Sequence, residues 1–304
     1  MSTESPSAVT DAINEVAQNY YDSEDAFNFY KEVWGGTFIH VGLYDTPEVE
    51  AESSLDAKIR KASELSALHL INSLSGTVVD KDTKVMDMGS AYGGNARLFV
   101  STFGCTVTCI DISTRENAVN REMSQAAGLG EKIIIPGDKS FFETGEADSS
   151  FDIVTSQDTF LHAGSERHKA MAEAARVLRP GGLLIFTDIM QSNTADTSQL
   201  GPVYKRIHLD DMGSPNTYKE WGAKVPGGLL ARYGLELVAF EDRTSNLAAH
   251  YGSVNTALQA KRGGLTKVSP AYVDNMIKGL EMWVKAAHEG NLCWGYHIFR
   301  CVKA

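Results

Sequence analysis

The stretch "VMDMGSAYGGNARLF", residues 85–99, constrains the fold more than any other part of the chain. A short apolar run ends on Asp87, then Gly89, Gly93 and Gly94 follow, and helical spacing begins. Glycines at a strand-to-helix turn let backbone N–H groups approach a ligand closely and let the next helix pack tightly on its strand. The spacing is G-x-x-x-G-G, not the dinucleotide pattern G-x-G-x-x-G. Downstream the alternation repeats: a helix predicted over 93–103, the run "TVTCIDI", a helix over 114–127, "KIIIPGD", "FDIVTSQD", a helix over 166–178 and "GLLIFTDI". Short apolar runs separated by helices predict an α/β fold, a parallel sheet with helices on both faces.

Ahead of the sheet, "AINEVAQNYY", "DAFNFYKEVWG" and "SSLDAKIRKASELSALHLINSLSG" carry apolar residues at helical spacing, so 1–75 reads as a helical N-terminal lid and 76–189 as the α/β core. From 190 to 234 the pattern loosens into a Ser-, Thr-, Asp-, Gly- and Pro-containing stretch, expected to be an inserted substrate cap. Residues 235–304 return to a strand, two helices and a closing strand, the two strands expected as an antiparallel pair at the sheet edge. A net charge of −11 and the lack of any Lys or Arg run argue against nucleic acid as a partner. The four cysteines show no CxxC pair, and no His/Asp/Glu cluster has metal-ligand spacing, so no metal is expected. No apolar run reaches the roughly 18 residues of a membrane span, and the N-terminus lacks the pattern of a signal peptide. The expectation is a cytoplasmic protein with reduced thiols and no membrane partner; a homodimer stays open.

In open α/β sheets ligands sit at the carboxyl ends of the strands. Here the first strand ends in Asp87, Gly89 and Ser90, with Gly93 opening the helix. The second ends at Asp111, 24 positions after Asp87, near the spacing at which a carboxylate meets a ribose diol. The third supplies Asp138 and Lys139, placed for an adenine edge, and the fourth Gln157, Asp158 and His162. Each acid alone reads equally well as a turn or cap residue, but four in register at successive strand ends form a binding rim.

This series resembles the class I S-adenosylmethionine-dependent methyltransferases, with "VMDMGSAYGG" as the first motif, Asp111 and the adjoining Ile112 at the ribose, "GD" at 137–138 at the adenine, and "ARVLRPGGLLIFTD" before the fifth strand. The resemblance implies a Rossmann-like, seven-stranded, mostly parallel sheet and S-adenosylmethionine as cofactor. A carboxylate inside the glycine loop would repel a pyrophosphate but attract the ammonium of the methyl donor, which argues against an NAD(P) oxidoreductase. "VAQNYYDSEDAFNFYKEVWGGTFIHVGLYD" looks like the N-terminal segment of small-molecule methyltransferases, and "SQDTFLHAGSERHKAMAEAARVLRPGGLLIFTDIMQ" with "LGPVYKRIHLDDMGS" is most similar to sarcosine/dimethylglycine N-methyltransferases, which form glycine betaine. Phosphoethanolamine and tocopherol methyltransferases are the alternatives within the class, and a non-catalytic adenosyl-binding regulator lies outside it.

Carried over residue by residue, the resemblance implies a catalytic pair, Tyr21 and His162, with Tyr20 an open alternative to Tyr21. An aliphatic amine with a pKa near 10 is mostly protonated at neutral pH and then has no lone pair, so a pair of this kind either handles the proton or orients the nitrogen. An amino-acid acceptor also needs a carboxylate partner, for which Arg167, Lys205 and Arg206 are the nearest cations. Tyr204, Tyr218, Trp221, Tyr251 and Trp294 are candidates to wall a quaternary ammonium product.

Overall fold

The computed structural model describes residues 6–74, 76–206, 209, 211–222 and 232–303. Seven strands form one sheet in the order β3-β2-β1-β4-β5-β7-β6. They are β1 (Lys84–Met88), β2 (Thr106–Ile110), β3 (Ile133–Ile134), β4 (Phe151–Gln157), β5 (Leu178–Gln191), β6 (Leu235–Asp242) and β7 (Leu292–Cys301). Pairings among β1 to β5 are all parallel, and β7 runs antiparallel to both β5 and β6. The late strands do pair antiparallel, but β7 inserts between β5 and β6, leaving β6 at the edge.

Alternation along the strands explains why both faces are covered. On β1, Val85 belongs to the apolar cluster that also holds Phe29, Leu70, Val254 and Trp283, whereas Met86 and Met88 belong to the opposite cluster with Met171, Ala174 and Phe186. A strand buried on both sides reads as a continuous apolar run, which is why period-2 patterning is faint here. The helix α5 (Gly94–Phe103) follows β1, capped by Gly93 and Gly104, both in left-handed backbone. α6 (Thr114–Ala126) starts where the Ser113 hydroxyl accepts the Glu116 N–H, and α7 (Arg167–Val177) runs directly into β5. The expected third strand shrinks to two residues, because Pro136 and Gly137 (φ 122°) break the ladder just past it.

The N-terminal segment builds α1 (Pro6–Tyr21), α2 (Glu24–Phe29), a π-helical turn at Tyr30–Trp34, α3 (Pro47–Glu50) and α4 (Leu55–Asn72). Between 190 and 234 the described residues include α8 (Gly201–Arg206) and α9 (Pro215–Gly222), with Leu200, Val203, Met212 and Tyr218 buried. Two long helices, α10 (Ser245–Lys261) and α11 (Pro270–His288), precede β7. No described helix is long and apolar enough to cross a membrane.

Candidate functional site

A pocket of about 880 Å³, part of it open to solvent, lies at the carboxyl ends of β1, β2 and β4. Asp87, Gly89, Ser90, Asp111, Ile112, Lys139, Gln157, Asp158 and His162 line it, so three of the four acids read from successive strand ends share one chamber. Its roof comes from the N-terminal segment through Ile13, Ala17, Tyr21, Phe38 and His40. The first turn is built for close approach. A Cβ on Gly89 would lie 2.2 Å from Thr159 Oγ1, and one on Gly94 would lie 2.4 Å from the Thr37 carbonyl, so only glycine keeps both walls in place. Ala91 takes φ 45°, a conformation L-residues rarely hold, and its N–H donates to Asp111 Oδ2 at 2.8 Å.

The two carboxylates differ in how well they are met. Asp111 accepts from Ala91 and, at 2.9 Å, from the Ser113 N–H, leaving a lone pair on each oxygen for hydroxyls. Burial raises it to about 6, against the pull of those N–H donors. Asp87 has only a long contact from Asn95 Nδ2 at 3.4 Å, and its Oδ2 is buried without a partner. Burial pushes Asp87 up to about 7. A buried acceptor in this position suits an ammonium donor, and with the glycine cradle it fits the methionine end of S-adenosylmethionine.

Two residues predicted at the cofactor sit beside the cavity instead. Gly93 starts α5 and packs on Asn120, where a Cβ would come within 1.9 Å of Oδ1. Asp138 accepts from the Thr114 hydroxyl at 2.6 Å and from Asn117 Nδ2 at 2.9 Å, pinning β3 to α6. Asp158 lines the cavity, but its carboxylate is occupied: it accepts from the Val41 N–H, the Thr187 hydroxyl and Trp294 Nε1, each at 2.8 Å. It thereby clamps the N-terminal segment onto β4 and β5, at φ 52°.

A second cavity, about 500 Å³ of empty space, adjoins the first and shares Tyr21, Ile39, His40, Asp158 and His162 with it. Its other walls are mostly aromatic, from Tyr20, Tyr30, Trp34, Tyr251 and Trp283, with Val41, Leu161 and Ile189 between them. On the shared wall Tyr21 Oη and His162 Nε2 lie 2.9 Å apart, 141 positions apart in sequence. Both are held neutral, since burial lowers His162 to about 4 and raises Tyr21 well above its ordinary value. Tyr20 takes a different place, its hydroxyl 3.3 Å from those of Tyr30 and Tyr272.

Among the described side chains, those predicted for the acceptor's carboxylate do not line this chamber. Arg167, at the start of α7, is 1% exposed and faces Asp188 (3.9 Å) and Asp211 (3.6 Å). Its buried position at a helix start serves an internal ion network. Tyr204 donates to Gln191 Oε1 at 2.5 Å, at the end of β5, and does not line the chamber. Arg206 ends α8, and its side chain, like that of Trp221, lies outside the described residues. Tyr218 donates to Asp188 Oδ2 at 2.7 Å, and Trp294 is spent on Asp158, so of the four proposed aromatic walls with described side chains only Tyr251 lines the chamber. Sequence reasoning missed Tyr30, Trp34, Trp283 and His40. Tyr30 and Trp34 sit in the π-helical turn, where the inserted residue re-aims side chains that helical spacing assigns to packing.

Comparison with known proteins agrees with this geometry. Residues 86–186 match the family described as a methyltransferase domain. A sarcosine/dimethylglycine N-methyltransferase of Halorhodospira halochloris is 39% identical over 94% of this chain and 96% of its own length. The chain belongs to the sarcosine/dimethylglycine N-methyltransferase family. It is thus an S-adenosylmethionine-dependent methyltransferase. A glycine/sarcosine/dimethylglycine N-methyltransferase of Actinopolyspora halophila is 42% identical over 92% of this chain, which spans 46% of that longer protein. Among solved structures, one from Galdieria sulphuraria, provisionally assigned as a sarcosine dimethylglycine methyltransferase, superposes with a TM-score of 0.79 at 36% identity, covering 91% of this chain and 97% of its own.

Proposed function

We propose that the protein moves the methyl group of S-adenosylmethionine to the nitrogen of sarcosine and then of dimethylglycine, forming glycine betaine in the cytoplasm. The observation that carries this reading is the wall shared by the two cavities, with the Tyr21–His162 pair between the cavity rimmed by Asp87 and Asp111 on one side and the aromatic one on the other. The bound cofactor supplies an electrophilic methyl on a sulfonium. In this reading Asp87 takes its ammonium, Asp111 with Ile112 its ribose, and Lys139 and Gln157 flank the remainder.

On the acceptor side the chain has to present a neutral amine and accommodate a cationic product. His162, held near 4, is far too weak a base to keep a proton taken from an amine of pKa near 10, so the pair orients the nitrogen and the proton leaves to solvent before the chamber closes. With Tyr21 donating to His162, the phenolic oxygen keeps lone pairs for an amine N–H. His40 adds a second acceptor. Its Nδ1 donates to the Val41 carbonyl at 3.1 Å, so Nε2 is unprotonated in the neutral ring, and Nε2 is buried without a partner. Neutral sarcosine has one N–H to offer and neutral dimethylglycine none, so this anchor favours the first transfer. The aromatic rings, and the Asp158 carboxylate on the shared wall, suit the quaternary ammonium that forms.

No described Lys or Arg lines the aromatic chamber, which disfavours a phosphoethanolamine acceptor. The test is a methyl-transfer screen over glycine, sarcosine, dimethylglycine and phosphoethanolamine, read as S-adenosylhomocysteine formed. Turnover with sarcosine and dimethylglycine is expected; faster turnover with phosphoethanolamine would overturn the reading.

A further inference from the structure

Two buried N–H groups beside the aromatic chamber have no acceptor among the described residues. Trp34, 4% exposed, lines the chamber, and its Nε1 makes no hydrogen bond. His250, wholly buried, lies behind the chamber wall and outside its lining, its ring 4.8 Å from that of Trp34, and its Nε2 is likewise unpartnered. The other nitrogen of His250 fixes its tautomer: Nδ1 accepts the Gly42 N–H at 3.3 Å, so in the neutral ring the proton sits on Nε2. Adjoining rings therefore carry two unmet donors. Buried donors are nearly always satisfied, so two of them on neighbouring rings point to a partner with acceptor oxygens.

We propose that Trp34 and His250 hold the carboxylate of the methyl acceptor, so that the chamber reads the anionic end of an amino acid through two neutral donors and not through a cation. This rests on the acceptor reading above. The nitrogen has to lie at the wall shared with the cofactor cavity, which directs the carboxylate of an α-amino acid toward residues that line the chamber alone, Trp34 among them. No Lys or Arg among the described residues competes for it there, and Arg167 is committed to Asp188 and Asp211. Neutral donors suffice because substrate and product are zwitterions, so the cradle need not balance a net charge. Two N–H groups match the two oxygens of a carboxylate, where an alcohol offers one.

The experiment is calorimetric titration of the full chain, saturated with S-adenosylhomocysteine, with glycine betaine and with choline, which share the trimethylammonium and differ at the carboxylate. The wild type is expected to bind betaine at least about 10-fold tighter than choline, as for hydrogen bonds to a charged group. Trp34→Phe and His250→Leu should each weaken betaine about 10- to 100-fold while choline stays within about threefold, and His250→Gln, which keeps an N–H, should recover most of the loss. Unchanged S-adenosylhomocysteine affinity identifies the folded variants, and the Gln/Leu comparison at 250 decides the matter if Trp34→Phe does not fold. Equal loss for both ligands would reduce Trp34 to an aromatic wall and overturn the proposal, as would betaine binding that ignores all three variants, the donors then being met by water. Failure of the wild type to methylate sarcosine or dimethylglycine overturns the acceptor reading instead.

Discussion

Asp87 makes cofactor binding depend on pH in a way that can be worked out from its surroundings. Without ligand its carboxyl titrates at about 7, raised by burial and opposed by the long Asn95 contact. An ammonium docked on Oδ2 favours the charged form and draws the pKa down well below 7. The free protein then holds a proton that the complex does not, so binding releases it: about half a proton at pH 7, rising toward one at pH 6 and falling toward zero at pH 8. Affinity should rise about 10-fold between pH 6 and pH 8, equivalent to about 1.4 kcal/mol. Asp111, held at about 6, adds a smaller release of the same sign at the acid end if ribose hydroxyls favour its ionised form. Calorimetry of S-adenosylhomocysteine in buffers of differing ionisation enthalpy reads the proton count directly. Asp87→Asn should weaken binding by roughly 2 kcal/mol at pH 8 and flatten the profile near neutrality. A wild-type affinity that is flat from pH 6 to 8 with no proton released would refute the pairing of Asp87 with the ammonium.

Other outcomes follow from the same geometry. Tyr21→Phe and His162→Ala should lower turnover about 10- to 10⁴-fold with cofactor affinity within a few-fold. Because neither group ionises between pH 6 and 9, the kcat profile should drop in height and keep its shape; a lost ionisation on mutation would restore a proton-handling role. His40→Phe should raise KM for sarcosine roughly 10-fold more than for dimethylglycine, and equal effects on both would remove the N–H anchor. Gly89→Ala, with φ +75° and a Cβ at 2.2 Å from Thr159, should lower thermal stability and S-adenosylhomocysteine affinity together, checked by scanning calorimetry with and without ligand.

What the sequence discloses and what it hides divide along a physical line. The strand-end residues Asp87, Asp111 and Gln157 could be read early because a parallel sheet delivers every strand's last residues to one rim, so topology alone brings them together. Gly93 and Asp138 sit at the same rim yet turn aside, since one Cβ or one Thr114 hydroxyl decides whether a residue faces ligand or helix, and spacing carries no such information. Tyr21 and His162 were found through resemblance, because no local rule links positions 141 residues apart. The error over Arg167 is more instructive. Charge is visible in a sequence, so a cation near a strand end attracts the role of carboxylate partner, but what a buried cation can do depends on which acids fold against it, and Asp188 and Asp211 had already claimed this one. Trp34, His40 and His250 are the converse. Their chemistry lies in hydrogen bonds not made and in tautomers fixed by a neighbour's carbonyl or N–H, properties that exist only once Gly42 and Val41 thread between them. A zwitterionic acceptor makes neutral groups of that kind sufficient on both its ends, which is why the half of the site with the least charge in the sequence is the half that distinguishes one acceptor from another.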